Sequence, residues 1–209
     1  QIREAGGQAV ALQADLLSAA ETESLVPRAV DMLGGALTLL VNNASIFEYD
    51  TLASATAESW DRHIGSNLRA PFFLTQAWAR RVLARQRPGD LHHSVITVSS
   101  SNAQAVSVAR GEYCMSKISA GMMAKLFAVR LGGDDIGSYE IQPGLIETDM
   151  TRPVHDHYLQ RIREGLTVAQ RMGTPADIGS IARAMATGQI AFCTGQSVQA
   201  DGGLLIPRF

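Results

Sequence analysis

The sequence predicts a doubly wound α/β domain, a parallel sheet with helices on both faces. Three observations carry this reading. Short apolar runs alternate along the 209 residues with helically periodic stretches of roughly 10–20 residues. Several runs, "LTLLV" among them, are apolar throughout, as strands covered on both faces must be. Each run gives way to small or hydrogen-bonding residues, which gathers polar groups at one sheet edge, where such sheets bind ligands.

The elements follow in order. Residues 1–6 read as a helix end closed by Gly6 and Gly7. "AVALQA" (9–14) reads as a buried strand, and 19–33 as a helix stopped at Gly34-Gly35. "LTLLV" (37–41) is the next strand. Residues 56–65 and 67–86 read as helices, with Pro88-Gly89 as punctuation. "SVITVS" (94–99) is a buried strand, and 112–131 the longest helical pattern, ended by Gly132-Gly133. "SYEIQP" (138–143) is a weaker strand, 155–165 and 175–187 are helices, and "QSVQAD" (196–201) is the last strand. No repeat, low-complexity tract or linker divides the chain, so 1–209 is expected to be a single domain.

A net charge of −2 carries no electrostatic footprint for nucleic acid or an anionic membrane. The densest basic run, "ARRVLARQR" (79–87), reads as a solvated helix end. Cys114 and Cys193 make no disulfide framework, so a reducing, cytoplasmic compartment is expected. No apolar run approaches the ~20 residues of a membrane span. His155 and His157 have no third ligand cluster near them, and no metal is expected.

The strand ends carry Asp15, then Asn42-Asn43-Ala44, then Ser100-Ser101, then Pro143-Gly144 and Thr148. Behind them stands "GEYCMSK" (111–117). On a helix, Tyr113 and Lys117 are i and i+4 and share a face. A nearby ammonium favours phenolate, which would lower the tyrosine pKa and make Tyr113 an acid/base near neutral pH. An ordinary solvent-facing pair fits the same spacing.

Taken together, these residues resemble the short-chain dehydrogenases/reductases. "YCMSK", with Ser100 thirteen residues before the tyrosine and Asn67 upstream, is similar to their Asn-Ser-Tyr-Lys tetrad. "QADL" (13–16), "LVNNA" (40–44), "PGLIETDM" (143–150) and "TGQSVQADGG" (194–203) match further motifs in the right order. The likeness is strongest to the 3-ketoacyl-carrier-protein reductase-like members. It implies a Rossmann-type fold and hydride transfer between NAD or NADP and a ketone or secondary alcohol, with a 3-oxoacyl thioester or another carbonyl compound as the candidates. By resemblance, Tyr113 is the proton donor and acceptor, and Lys117 lowers its pKa and holds the nicotinamide ribose. Ser100, favoured over Ser99 and Ser101 by the offset, holds the substrate oxygen, and Asn67 holds a relay water. Asn67 as a plain helix cap remains an alternative. Asp15 would meet the adenine, beside the Leu16 backbone, or else simply cap the helix at 19–33. Asn43 and Ala44 would flank the adenosine, although Ser45 stands where the family usually has glycine. Pro143 and Gly144 would wall the nicotinamide, with Ile146 and Thr148 on its carboxamide. Residues 149–172 would form a mobile lid. The helices at about 67–86 and 112–131 would build the interface of a homodimer or homotetramer, although core burial explains the same apolar stripe.

The sequence has no TGxxxGxG phosphate loop. By analogy with the family, a strand, that loop, a helix and a second strand are expected to precede Gln1 in a longer polypeptide. The end of that second strand separates NAD from NADP. A non-catalytic binding protein on the same fold is the rival if the chain begins at Gln1, and a dehydratase or epimerase a third reading.

Overall fold

The computed structural model describes residues 1–35, 37–84 and 91–208. Four parallel strands, β1 (Leu39–Asn42), β2 (His93–Val98), β3 (Ile136–Pro143) and β4 (Ser197–Ala200), lie in the order β1-β2-β3-β4. Six α-helices accompany them: α1 (Ala19–Leu33), α2 (Ala57–Ile64), α3 (Ala70–Leu83), α4 (Gly111–Leu131), α5 (His155–Arg163) and α6 (Pro175–Ala186). The alternation and the parallel pairing are those expected of a doubly wound sheet. Residues 85–90, which hold the end of the expected 67–86 helix and the Pro88-Gly89 punctuation, lie outside the described residues.

The two sheet faces have separate cores. Val95 and Ile136 pack with Val26, Leu74, Trp78 and Leu131, and Trp78 Nε1 donates to Leu37 O at 3.0 Å. Ile96, Tyr139 and Ile141 pack on the other face with Met185 of α6. Val95 and Ile96 are neighbours that point opposite ways, as period-two geometry requires. The helix ends are chemically marked. Ser18 caps α1, and Gly34 ends it at φ 66°. Thr174 and Asp177 form a reciprocal capping box on α6, with Pro175 opening the helix.

The strand expected at 9–14 does not form. Residues 9–15 pair with no strand among the described residues, and Val10 is 43% exposed. An apolar run becomes a strand only when a neighbour takes its backbone hydrogen bonds, and β1, the strand following it in the chain, pairs with β2 alone. Residues 2–6 make one turn rather than a helix, closed at Gly6 with φ 82°.

A second difference lies between α2 and α3. The expected pair of helices is one continuous run, joined by a π-helical turn, Gly65–Arg69. Pro71 explains it. Proline has no N–H to give to the Asn67 carbonyl four residues back, so the α ladder cannot continue through this point. The Ala70 N–H reaches five residues back instead, to Gly65 O.

Candidate active site

The site sits where β2 and β3 end and α4 begins. Tyr113 and Lys117 lie one turn apart in the first half of α4. Lys117 is 3% exposed, and its Nζ donates to Val98 O at 3.2 Å, its one hydrogen bond among the described residues. The ammonium stands 5.4 Å from the centre of the Tyr113 ring. Ser100 follows β2 in extended backbone, and its hydroxyl oxygen accepts the Asn102 N–H at 3.1 Å. That hydroxyl is near enough to the Tyr113 phenol to favour its ionised form.

Electrostatics here differ from the expectation. Burial pushes the Tyr113 phenol above its ordinary value, and the Ser100 hydroxyl and the Arg110 charge pull the other way without winning. Lys117 is itself depressed to about 8 by burial, against the attraction of Glu140. The i,i+4 spacing foretells proximity but not desolvation, and desolvation decides both groups. The phenol therefore stays protonated at neutral pH.

Asn67 is buried on the π turn and is not a helix cap. Its Oδ1 accepts the Ile46 N–H at 2.9 Å and the Ser45 hydroxyl at 3.2 Å. Its Nδ2 donates to Ile46 O at 2.9 Å and to Ser116 Oγ at 3.1 Å. Ser116 in turn donates to the Tyr113 carbonyl at 2.8 Å. The π turn, the loop after β1 and the tyrosine's own backbone are thus tied by one amide. Ser45 uses its hydroxyl within this network.

Two residues have settings that the sequence did not show. Glu140 in β3 is 2% exposed, and its carboxylate accepts hydroxyls from Ser99 and Ser197. Gly121, one turn beyond Lys117, makes room for it: a Cβ there would lie 2.9 Å from both carboxylate oxygens. A polar residue in an apolar strand was the available signal. Ser99 therefore serves Glu140 while Ser100 faces the tyrosine. Arg110, just ahead of α4, packs against the rings of Phe47 and Tyr49, 5.0 and 4.8 Å from their centres.

The remaining expected residues spread along the same edge. Leu16, Asn43 and Ala44 line a cleft of about 340 Å³ beside β1. Asp15 does not line it. It is exposed and accepts the Leu17 N–H at 2.9 Å, while Ser18 caps α1, so Asp15 is not the cap. Gly144 follows β3 with its N–H on Ala200 O at 3.0 Å, and a Cβ there would stand 2.6 Å from the Asp201 Cα. Pro143 and Gly144 thereby run hard against the end of β4. Ile146 bridges to Gly173, and Thr148 is exposed with its N–H on Thr151 Oγ1 at 3.0 Å.

The chain was compared with known proteins. The family profile described as enoyl-(acyl carrier protein) reductase matches residues 1–205. The chain belongs to the short-chain dehydrogenase/reductase family. The crystal structure of a Brucella melitensis 3-oxoacyl-[acyl-carrier protein] reductase in complex with NAD superposes with a TM-score of 0.94 at 34% identity, covering 100% of this chain and 82% of that one. An L-rhamnose 1-dehydrogenase (NAD(P)(+)) of Azotobacter vinelandii is 30% identical over 202 residues, 96% of this chain and 77% of its own length. A human (3R)-3-hydroxyacyl-CoA dehydrogenase is 27% identical over 200 residues, 96% of this chain and 75% of its own length. Among the described residues no helix is long and apolar enough to cross a membrane.

Proposed function

We propose that this short-chain dehydrogenase/reductase interconverts a ketone and a secondary alcohol with NAD or NADP, using Ser100, Tyr113 and Lys117 as its catalytic set. One observation carries the reading: at the carboxyl edge of the sheet a protonated phenol meets a serine hydroxyl in front and a buried ammonium behind. In reduction, Ser100 and Tyr113 donate hydrogen bonds to the carbonyl oxygen, and Tyr113 releases its proton to the forming alkoxide. The alcohol returns that proton in oxidation. A bound nicotinamide supplies or takes up the hydride.

The residues fit such a cofactor. Lys117 has two N–H groups without partners among the described residues, deep in the fold and suited to the hydroxyls of a ribose. Asn43, Ala44, Asp15 and Leu16 take the adenosine half, and Pro143, Gly144, Ile146 and Thr148 the nicotinamide half. Asn67 positions the Tyr113 backbone through Ser116, and Pro71 frees its carbonyl to accept a water. Residues 149–172, including α5, close over the substrate. The relatives named for 3-oxoacyl and 3-hydroxyacyl substrates put acyl thioesters on the assay panel.

A second copy of the chain is the expected partner. Phe73, Met122 and Leu126 are exposed on α3 and α4, and they line a groove of about 390 Å³. Sedimentation of a monomer at micromolar concentration would remove that part. Cys114 and Cys193 are free, which fits the cytoplasm.

Tyr113→Phe tests the chemistry. Turnover should fall by ~10²–10⁴-fold while NADH or NADPH affinity by fluorescence titration stays within about threefold. Retained turnover removes Tyr113 from its role. Nucleotide binding by the wild-type protein with no turnover across thioesters, cyclic ketones and polyols would favour the non-catalytic reading.

A further inference from the structure

Arg110 stands at the substrate side of the site with no anion to serve. Three carboxylates lie near it in sequence or on the facing loop, and each is engaged elsewhere. Glu48 is paired with Arg62 at 2.6 Å, Glu112 accepts the Ser59 hydroxyl at 3.0 Å, and Asp50 accepts the Ser54 hydroxyl. Among the described residues no carboxylate comes within ion-pair distance of Arg110. Its Nη2 donates to the Tyr49 hydroxyl at 2.8 Å, its Nε is buried without a partner, and its Nη1 makes no hydrogen bond and is not enclosed.

The guanidinium also lies close to the chemistry. The Phe47 and Tyr49 rings, themselves edge to face at 5.2 Å, pack against it. Phe47 continues this cluster to the Tyr113 ring at 6.1 Å. Tyr158 of α5 favours the charged form of Arg110, and the Arg110 charge is felt by the Tyr113 phenol. Arg110 precedes Tyr113 by three residues, a spacing of neighbours. A preorganised, half-buried guanidinium without a counter-ion is built for a planar anion.

We infer that Arg110 binds a carboxylate of the substrate, so that the preferred substrates are short oxo or hydroxy acids whose carboxylate lies a few bonds from the reacting carbon. This rests on the oxidoreductase reading above.

The test compares acid with ester. Initial rates would be measured with NADH and NADPH on acetoacetate and levulinate and on their methyl esters. The wild-type enzyme should prefer each acid by about 10–100-fold in kcat/KM, the worth of one charge-assisted contact. Arg110→Met should collapse that ratio to within about threefold of unity, and Arg110→Lys should keep part of it. Nucleotide affinity serves as the folding check for both variants. An acid-to-ester ratio near one in the wild type overturns the inference even if the variants fail to fold. So does a variant that slows acid and ester equally, which would make Arg110 only a clamp for the 47–49 loop. If esters and thioesters turn over and acids do not, the inference fails and the oxidoreductase reading stands. If nothing turns over with either nucleotide, both fall.

Discussion

Lys117→Met probes the least comfortable group in the fold. Burial lowers the Lys117 pKa from its ordinary 10.5 to about 8. The group therefore binds its proton more weakly folded than unfolded. The resulting cost to stability is complete below about pH 8 and is relieved as pH rises towards 10.5. At 1.36 kcal/mol per pH unit the cost is about 3 kcal/mol at pH 7, about 2 at pH 9 and under about 1 at pH 10. Methionine fills a similar volume without charge, but it forfeits the hydrogen bond to Val98 O, worth about 1 kcal/mol. The variant should thus be more stable than wild type by ~1–3 kcal/mol at pH 7, and inactive. The advantage should shrink by about 2.5 kcal/mol between pH 7 and pH 10. Urea titration of both proteins in parallel at four pH values reads the difference directly, since every other titrating group is common to the two. A stability difference that stays level across this range, or that widens, would show that the ammonium is not desolvated in the folded chain and would refute the reasoning.

Three further outcomes follow from the same geometry. Asn67→Ala strands the Ile46 N–H and C=O, and should cost about 2–4 kcal/mol in urea titration along with most of the turnover. Glu140→Gln removes the attraction that opposes burial at Lys117. The alkaline loss of nucleotide affinity should then move to lower pH, and an unmoved midpoint would deny Glu140 that influence. Gly121→Ala presses a methyl group against the Glu140 carboxylate and should destabilise by about 1–3 kcal/mol, where a helix interior otherwise gains from this change.

Most helices and four of the five expected strands were legible because periodicity and glycine punctuation report local structure, while the helix end expected at 1–6 is a turn. α1 runs from Ala19 to Leu33, the expected span, because Ser18 and Gly34 bound it chemically. The 9–14 strand was misread because pairing is a property of the neighbour rather than of the run. The π turn left only one trace, Pro71, which the helix-cap alternative for Asn67 passed over. Within the candidate site, the i,i+4 spacing set Tyr113 beside Lys117, and the thirteen-residue offset taken from the family resemblance pointed to Ser100. The sense of the tyrosine's pKa was not readable, because it depends on how much protein surrounds the phenol. Glu140 made "SYEIQP" look weak as a strand, and that weakness was the sign of a buried carboxylate. Arg110 is the one arginine of the small, apolar stretch at 101–110, and the aromatic rings it packs against come from residues some sixty positions away.

The wide turn at Gly65–Arg69 divides one rod into two parts with different loyalties. Upstream, α2 answers to the loop that carries Phe47 and Tyr49; downstream, α3 answers to the sheet. Removing a single residue within 65–69 would restore ordinary pitch and swing Asn67 by about 100° away from Ile46 while the sheet-facing half stays seated. Such a shortening, with no side chain exchanged, is predicted to cut turnover more deeply than it lowers the urea midpoint, and a loss of folding that matches the loss of turnover would refute that division.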